Sequence, residues 1–170
     1  MYRFNMDKKR NKNHSFFGVC FFLYFFRMYE FTNYRIIKVL CKVMMKIYKI
    51  FHCIEITAGT NIGGGLYLGH PYCITINYNA VIGNNVNIHK GVTIGQETRG
   101  KRKGVPIIGN RVWIGVNATI VGNIIIGDDV LIAPNCYVNC DIPSHSIVLG
   151  NPCIIKPCVN ATAGYINDIV

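Results

Sequence analysis

The chain has 170 residues and a formal net charge of +10, from 18 Lys and Arg against 8 Asp and Glu. With 51% hydrophobic and only 15% charged residues it is too apolar to be a disordered chain, and its length suits one domain that buries a core without staples. A basic excess points to nucleic acid, a membrane surface or an anionic substrate, so the placement of the charge has to decide.

That placement is uneven. Residues 1–54 carry 11 Lys and Arg against 2 acids, whereas residues 55–170 carry 7 against 6. Sixteen of the 17 glycines follow residue 54, and 14 of the 20 aromatic residues precede it. The chain divides into a basic, aromatic, helical segment (1–54), a glycine-rich body (55–156) and a C-terminal tail (157–170). No nucleic-acid-binding motif accompanies the charge, which removes that class of partner. The eight cysteines form no CxxC pair and no Cys/His spacing of a zinc finger, so no metal site is expected. They read as reduced, partly buried thiols of a cytoplasmic protein.

Along the chain, Lys8, Lys9, Arg10 and Lys12 precede an apolar run from Phe16 to Phe26. The run is too short to span a bilayer, and no small-x-small cleavage pattern follows it. It is expected to be a packed or interfacial segment rather than a cleaved signal. Tyr34 to Phe51 has the periodicity of a helix, with Lys38, Lys42, Lys46 and Lys49 forming one basic stripe on a broad apolar surface. The favoured reading docks this helix on the rest of the protein or on a sister subunit. The other lays it on an anionic membrane.

After residue 54 the sequence repeats every six residues. The hexads open with Ile56, Ile62, Leu68, Ile76, Ile82, Ile88, Ile94, Ile108, Ile114, Ile120, Ile126, Ile132 and Val138. Glycine often follows the opener, and the fifth place is aliphatic or small. This is the pattern of a parallel β-helix, in which each hexad makes one short strand and points its aliphatic residue inward. Three hexads close one triangular coil in the left-handed form, so thirteen make a little over four. The phase breaks twice, by Ile74 and Thr75 and by eight residues between Ile94 and Ile108. The second break, 96–107, is expected as an extruded loop. Its Gly-x4-Gly-Lys run imitates a phosphate loop, but it interrupts a repeat and has no Ser or Thr for magnesium.

The stretch GGGLYLGHPYCITINYNAVIGNNVNIHKGVTIG (63–95), the stretch VWIGVNATIVGNIIIG (112–127) and the closing VLGNP (148–152) resemble the hexapeptide-repeat acyltransferases, within them the serine acetyltransferase-like branch. The resemblance covers residues 55–156. It implies a mainly β fold, a left-handed parallel β-helix with a short helical N-terminal segment, assembled as a homotrimer or a dimer of trimers with active sites between neighbouring prisms. It implies acetyl-CoA as co-substrate, no metal, and a small acceptor with a hydroxyl. The catalytic His of the family matches His70, and its partner carboxylate, fifteen residues earlier, matches Glu55.

The chemistry suits those residue types. An alcohol is a poor nucleophile near neutral pH and needs a base as it attacks a thioester carbonyl. An imidazole titrates in that range, and a carboxylate on its other nitrogen fixes the tautomer and stabilises the imidazolium. Coenzyme A in the family lies along the later coils and bonds mostly to backbone; the matching turns are Val116-Asn117-Ala118 and Pro134-Asn135, with Lys156 near a phosphate. Arg99, Lys101, Arg102 and Lys103 in the loop would attract coenzyme A or an anionic acceptor. A solvated loop is an equal reading of those four cations. Of the other histidines, His89 reads as an outward surface or groove residue and His145 as structural, while His14 and His52 have no assigned role.

The acceptor is where the pattern departs. Serine acetyltransferases carry an Asp just before the catalytic His, where this chain has Gly69, and an Arg-His pair before a loop proline, where it has Gly104 and Val105 before Pro106. The expected reaction is acetyl transfer to L-serine, as in cysteine biosynthesis. The alternative is a sugar hydroxyl in exopolysaccharide or glycan biosynthesis. A non-catalytic trimerisation scaffold is disfavoured by the presence of both His70 and Glu55. A β-helix carbonic anhydrase is disfavoured by the lack of an H-x4-H pair.

Overall fold

In the computed structural model, which describes residues 1–13 and 16–170, helices precede a three-sided β-prism. His14 lies outside the described residues. Helix α1 spans Tyr2–Arg10, a π-helical turn spans Phe16–Cys20, and helices α2 (Phe21–Phe31) and α3 (Arg35–His52) follow.

The prism is built from strands of two to four residues. Sheet A holds β1 (Glu55–Ile56), β4 (Thr75–Ile76), β7 (Thr93–Gly95), β10 (Thr119–Val121) and β13 (Tyr137–Val138). Sheet B holds β2 (Asn61–Ile62), β5 (Val81–Ile82), β8 (Ile107–Ile108) and β11 (Ile125–Ile126). Sheet C holds β3 (Tyr67–Gly69), β6 (Asn87–His89), β9 (Trp113–Ile114), β12 (Val130–Ile132), β14 (Ser146–Leu149) and β15 (Ile154–Pro157). All pairings are parallel except β14 with β15. Successive strands lie in different sheets and each pairs with the strand one coil away, which is how a six-residue period becomes a solenoid.

The openers of the thirteen hexads are all buried, and partners stack in register from coil to coil, as in Leu68, Ile88, Ile114, Ile132 and Val148. The prism has five coils. The last is completed by a bridge between Ile126 and Ile142 and by β14, which a strict six-residue count misses because that hexad is short. The first phase break also falls elsewhere than the sequence suggests. Ile74 is fully buried and takes an ordinary inward place, so the two extra residues lie in the turn between Gly69 and Cys73. They enlarge the corner that carries His70.

The N-terminal helices close the prism at its first coil. Strand β3 ends sheet C and leaves an open ladder edge, which must be satisfied. Asp7 Oδ1 accepts from Leu66 N at 2.8 Å, and Asn11 both accepts from Leu68 N (3.2 Å) and donates to Leu66 O (2.8 Å). Arg27, fully buried, donates to Asp7 Oδ2 at 2.7 Å and to the carbonyls of Ile62 (2.7 Å) and Gly63 (2.6 Å). Burial of Asp7 pushes its pKa up, and the Arg27 guanidinium pulls against that shift. The apolar run packs as expected, with Val19, Phe22, Leu23 and Phe26 in the core.

Helix α3 docks through Cys41, Met45 and Tyr48. Its opposite side, with Ile36, Leu40, Val43, Ile47 and Ile50, is exposed, and its lysines form a third sector. Among the described residues no helix is long and apolar enough to cross a membrane. The tail returns along sheet C: Asp129 accepts from Ala161 N, Thr162 N and Thr162 Oγ1 at 3.1, 3.1 and 2.6 Å, and Asn85 pairs with the backbone of Val170.

Candidate active site

Each coil passes from sheet C to sheet A through a turn, and these turns stack along one edge of the prism. Cys73 N donates to His52 O (3.0 Å), Gly91 N to Tyr72 O (3.0 Å), Asn117 N to Lys90 O (3.0 Å) and Asn135 N to Val116 O (2.9 Å). His70, Cys73, Gly91, Asn117 and Asn135 have φ between 52° and 72°, so this corner repeats a left-handed residue. His70 is one of the non-glycine residues held there, a conformation that costs free energy and is kept where the surroundings fix it. The edge therefore carries His70 on the first coil and the predicted coenzyme A turns, Val116-Asn117-Ala118 and Pro134-Asn135, on the third and fourth.

His70 is exposed, and among the described residues its ring has no hydrogen-bond partner. Its neighbours arrange the corner. His52 stacks on Tyr48 at 3.9 Å and on Tyr72 at 5.1 Å, which gives His52 a packing role the sequence did not suggest. The largest surprise is His89. In the pairing of β3 with β6 it stands opposite Gly69, and a Cβ built on Gly69 would lie 2.5 Å from His89 Cε1. The His89 ring thus fills the space that a side chain at position 69 would need. It is half-buried and lines a groove, beside Trp113 (4.8 Å between ring centroids), and its Nε2 is buried with no partner among the described residues. Burial, and next the neighbouring His70, push its pKa below the ordinary imidazole value. The only sequence signal was the glycine at 69; the cross-coil register was needed to pair it with residue 89.

The bacterial transferase hexapeptide (six repeats) family model matches residues 106–140. A serine acetyltransferase of Helicobacter pylori is 36% identical over 112 residues, which make up 66% of each chain. One of Staphylococcus xylosus is 37% identical over 114 residues, 67% of this chain and 53% of its own. The crystal structure of Neisseria gonorrhoeae serine acetyltransferase in complex with serine aligns with a TM-score of 0.72 at 27% identity, over 91% of this chain and 68% of that one. These likenesses support a hexapeptide-repeat acyltransferase of serine acetyltransferase-like type. It spans just under two thirds of the Helicobacter relative and about half of the staphylococcal one.

Within that family frame, the structure does not bring all predicted site residues together. Glu55 lies at the start of β1 and is ion-paired with Lys49 of α3 at 2.6 Å, not with His70. The loop folds as a hairpin on its own prism: Glu97 and Gly104 bridge, Arg102 pairs with Glu97 at 3.1 Å, and Asn123 N donates to Arg102 O. Arg99, Lys101 and Lys103 point to solvent as exposed cations. Lys156 is exposed on β15 opposite Ile147, away from the edge turns. Asn117 and Asn135 are exposed and touch through their amides at 3.4 Å, while Ala118 is buried. His145 bonds Asp129 at 2.8 Å and so helps anchor the tail. Among the described residues no group of three or more His, Cys, Asp or Glu is placed to hold a metal. All eight cysteines are free, and the nearest pair, Cys140 and Cys153, has sulfurs 3.7 Å apart.

Proposed function

We propose that the protein transfers an acetyl group from acetyl-CoA to the hydroxyl of a small acceptor, with L-serine as the acceptor named by its relatives. The observation that carries this reading is the stacked edge: one exposed imidazole on the first coil, followed by exposed turns on later coils. His70 takes the acceptor proton as its oxygen attacks the thioester carbonyl and returns a proton to the leaving thiolate. The exposed ring, free of a competing hydrogen bond, is open to an acceptor hydroxyl. The turns around Val116, Asn117, Pro134 and Asn135 give an elongated co-substrate a row of backbone groups, and Lys90 supplies a cation on the same edge. For Glu55 to orient the imidazolium it must exchange Lys49 for His70, so its role depends on that ion pair opening. We further propose that the chain works in the cytoplasm as a homotrimer or dimer of trimers, with neighbouring prisms completing the site.

The alternative acceptor class is a sugar hydroxyl. The serine enzymes place an acid at the position of Gly69, and here the His89 ring leaves no space for one. Purified protein given acetyl-CoA and L-serine should release free thiol, and His70→Ala should abolish the release. Release only with sugars would reject serine, and full activity of His70→Ala with every acceptor would reject the mechanism.

A further inference from the structure

We propose that the cleft between α3 and the first two coils of sheet A is a subsite for an anionic group of the acceptor, a carboxylate or a phosphate, held by Lys42 and Lys46. The inference rests on the acetyltransferase reading above and names the acceptor chemistry of that same site.

The cleft has a volume of about 550 Å³, with Met45, Ile54 and Ile56 as an apolar floor and Thr57, Thr75 and Asn77 as a polar wall. A second concavity of about 690 Å³ shares Lys46, Lys49, Glu55 and Thr75 with it and reaches Cys53 and Cys73. A mostly apolar hollow with a few convergent polar groups is the form of a small-molecule site. Lys42, Lys46 and Lys49 sit at spacings of four and three on α3 and so share one face of the helix, turned to the cleft.

The charges do not cancel. Glu55 is the one acid lining either hollow, and Lys49 engages it at 2.6 Å. Lys42 lies over the Tyr29 ring at 5.4 Å, and among the described residues neither it nor Lys46 has an acidic partner. The acids of the N-terminal segment, Asp7 and Glu30, are engaged by Arg27 and Arg3. Two exposed lysines without an acidic partner therefore remain on the lining of the cleft, available to an anion.

Position gives the anion its meaning. Cys73, on the rim, is three residues from His70, so the two Cα atoms are at most about 11 Å apart. The turns proposed for coenzyme A lie on the other side of His70, on later coils. The donor then approaches His70 from the C-terminal coils and the acceptor from the α3 end, its hydroxyl toward the imidazole and its anion toward Lys46, which also lines the hollow that reaches Cys73, with Lys42 one turn further out. This arrangement supplies the carboxylate partner that the loop lacks, since Gly104 and Val105 stand before Pro106.

The test uses the full chain, saturating acetyl-CoA and thiol release, with acceptors in matched pairs: L-serine against L-serinamide, and glucose 6-phosphate against glucose. The anionic member of one pair should be preferred by about tenfold or more, and the pair that responds identifies carboxylate or phosphate as the source. Lys42→Gln/Lys46→Gln should raise the acceptor KM by about tenfold with kcat and the acetyl-CoA KM little changed, and the corresponding arginines should restore it. Transfer that ignores acceptor charge, or an acceptor KM unmoved in the double variant, overturns the inference while leaving the acetyltransferase reading intact. If no acceptor releases thiol, that reading fails, and calorimetric titration with inorganic phosphate still decides the cleft. Binding to the wild type that is lost in the double variant supports the subsite, and no binding, or equal binding by both proteins, refutes it.

Discussion

Substituting Gly69 by alanine tests the contact between neighbouring coils at the proposed base. A Cβ there would stand 2.5 Å from His89 Cε1, where an ordinary carbon contact is about 3.5 Å. One of the two must retreat by about 1 Å. The His89 ring is half-buried beside Trp113, so part of the displacement falls on the turn that carries His70. Overpacking of this size costs about 1–3 kcal/mol, and for a chain of this length each kcal/mol lowers the melting temperature by about 2–4 °C. A shift of about 1 Å at a catalytic base lowers turnover on the order of 100-fold. Gly69→Ala should therefore melt about 2–12 °C lower by calorimetry and lose most of its acetyl transfer. His89→Ala in the same chain should recover most of both losses by opening the space. An unperturbed Gly69→Ala protein, or a double variant no better than the single one, would refute the reasoning.

Three further outcomes are expected. Arg27→Met leaves Asp7 and the carbonyls of Ile62 and Gly63 buried without their partner, so it should cost about 3–5 kcal/mol in chemical denaturation; Asp7→Asn added to it should recover part. Asp129 is held below the usual carboxylate pKa because hydrogen bonds from Thr162, His145 and Ala161 outweigh its burial. Its contribution is thus present above the unfolded carboxylate pKa and fades as pH falls through the folded value; the protection factors of amides in residues 161–170, taken relative to their intrinsic exchange rates, should fall on acidification, and Asp129→Ala should remove that dependence. Arg102→Ala breaks only the partly exposed pair with Glu97 and should change unfolding free energy by less than about 1 kcal/mol.

The repeat was legible because its cause is local. Each hexad buries one aliphatic residue, so the openers announce themselves at a fixed period, and α3 ends within one residue of its expected bounds. What the sequence hid depends on partners far along the chain. Asp7, Asn11 and Arg27 satisfy backbone groups 35 to 59 residues away, and backbone partners leave no side-chain pattern to detect. The apolar run and the basic stripe were visible, but not that the first closes the prism while the second overhangs a cleft. At the candidate site, His70 stood out by resemblance and by its broken repeat. The environment of His89 did not, because a residue 20 positions from Gly69 becomes its neighbour only after one full coil. Glu55 illustrates the opposite limit: the family resemblance implied a pair with His70, and its ion-pair partner is instead Lys49.

The stacked edge also acts as a ruler. Adjacent strands lie about 4.8 Å apart, so the corner of His70 and that of Asn135, three coils on, are separated by about 14 Å. Removing or adding one coil would shift the later turns by a single pitch without altering any residue at the imidazole. On the proposed mechanism, the number of coils between His70 and those turns would set how long a thioester arm must be to bring its carbonyl to the imidazole. A family built on this fold can change donor length by counting repeats while its chemistry stays in place.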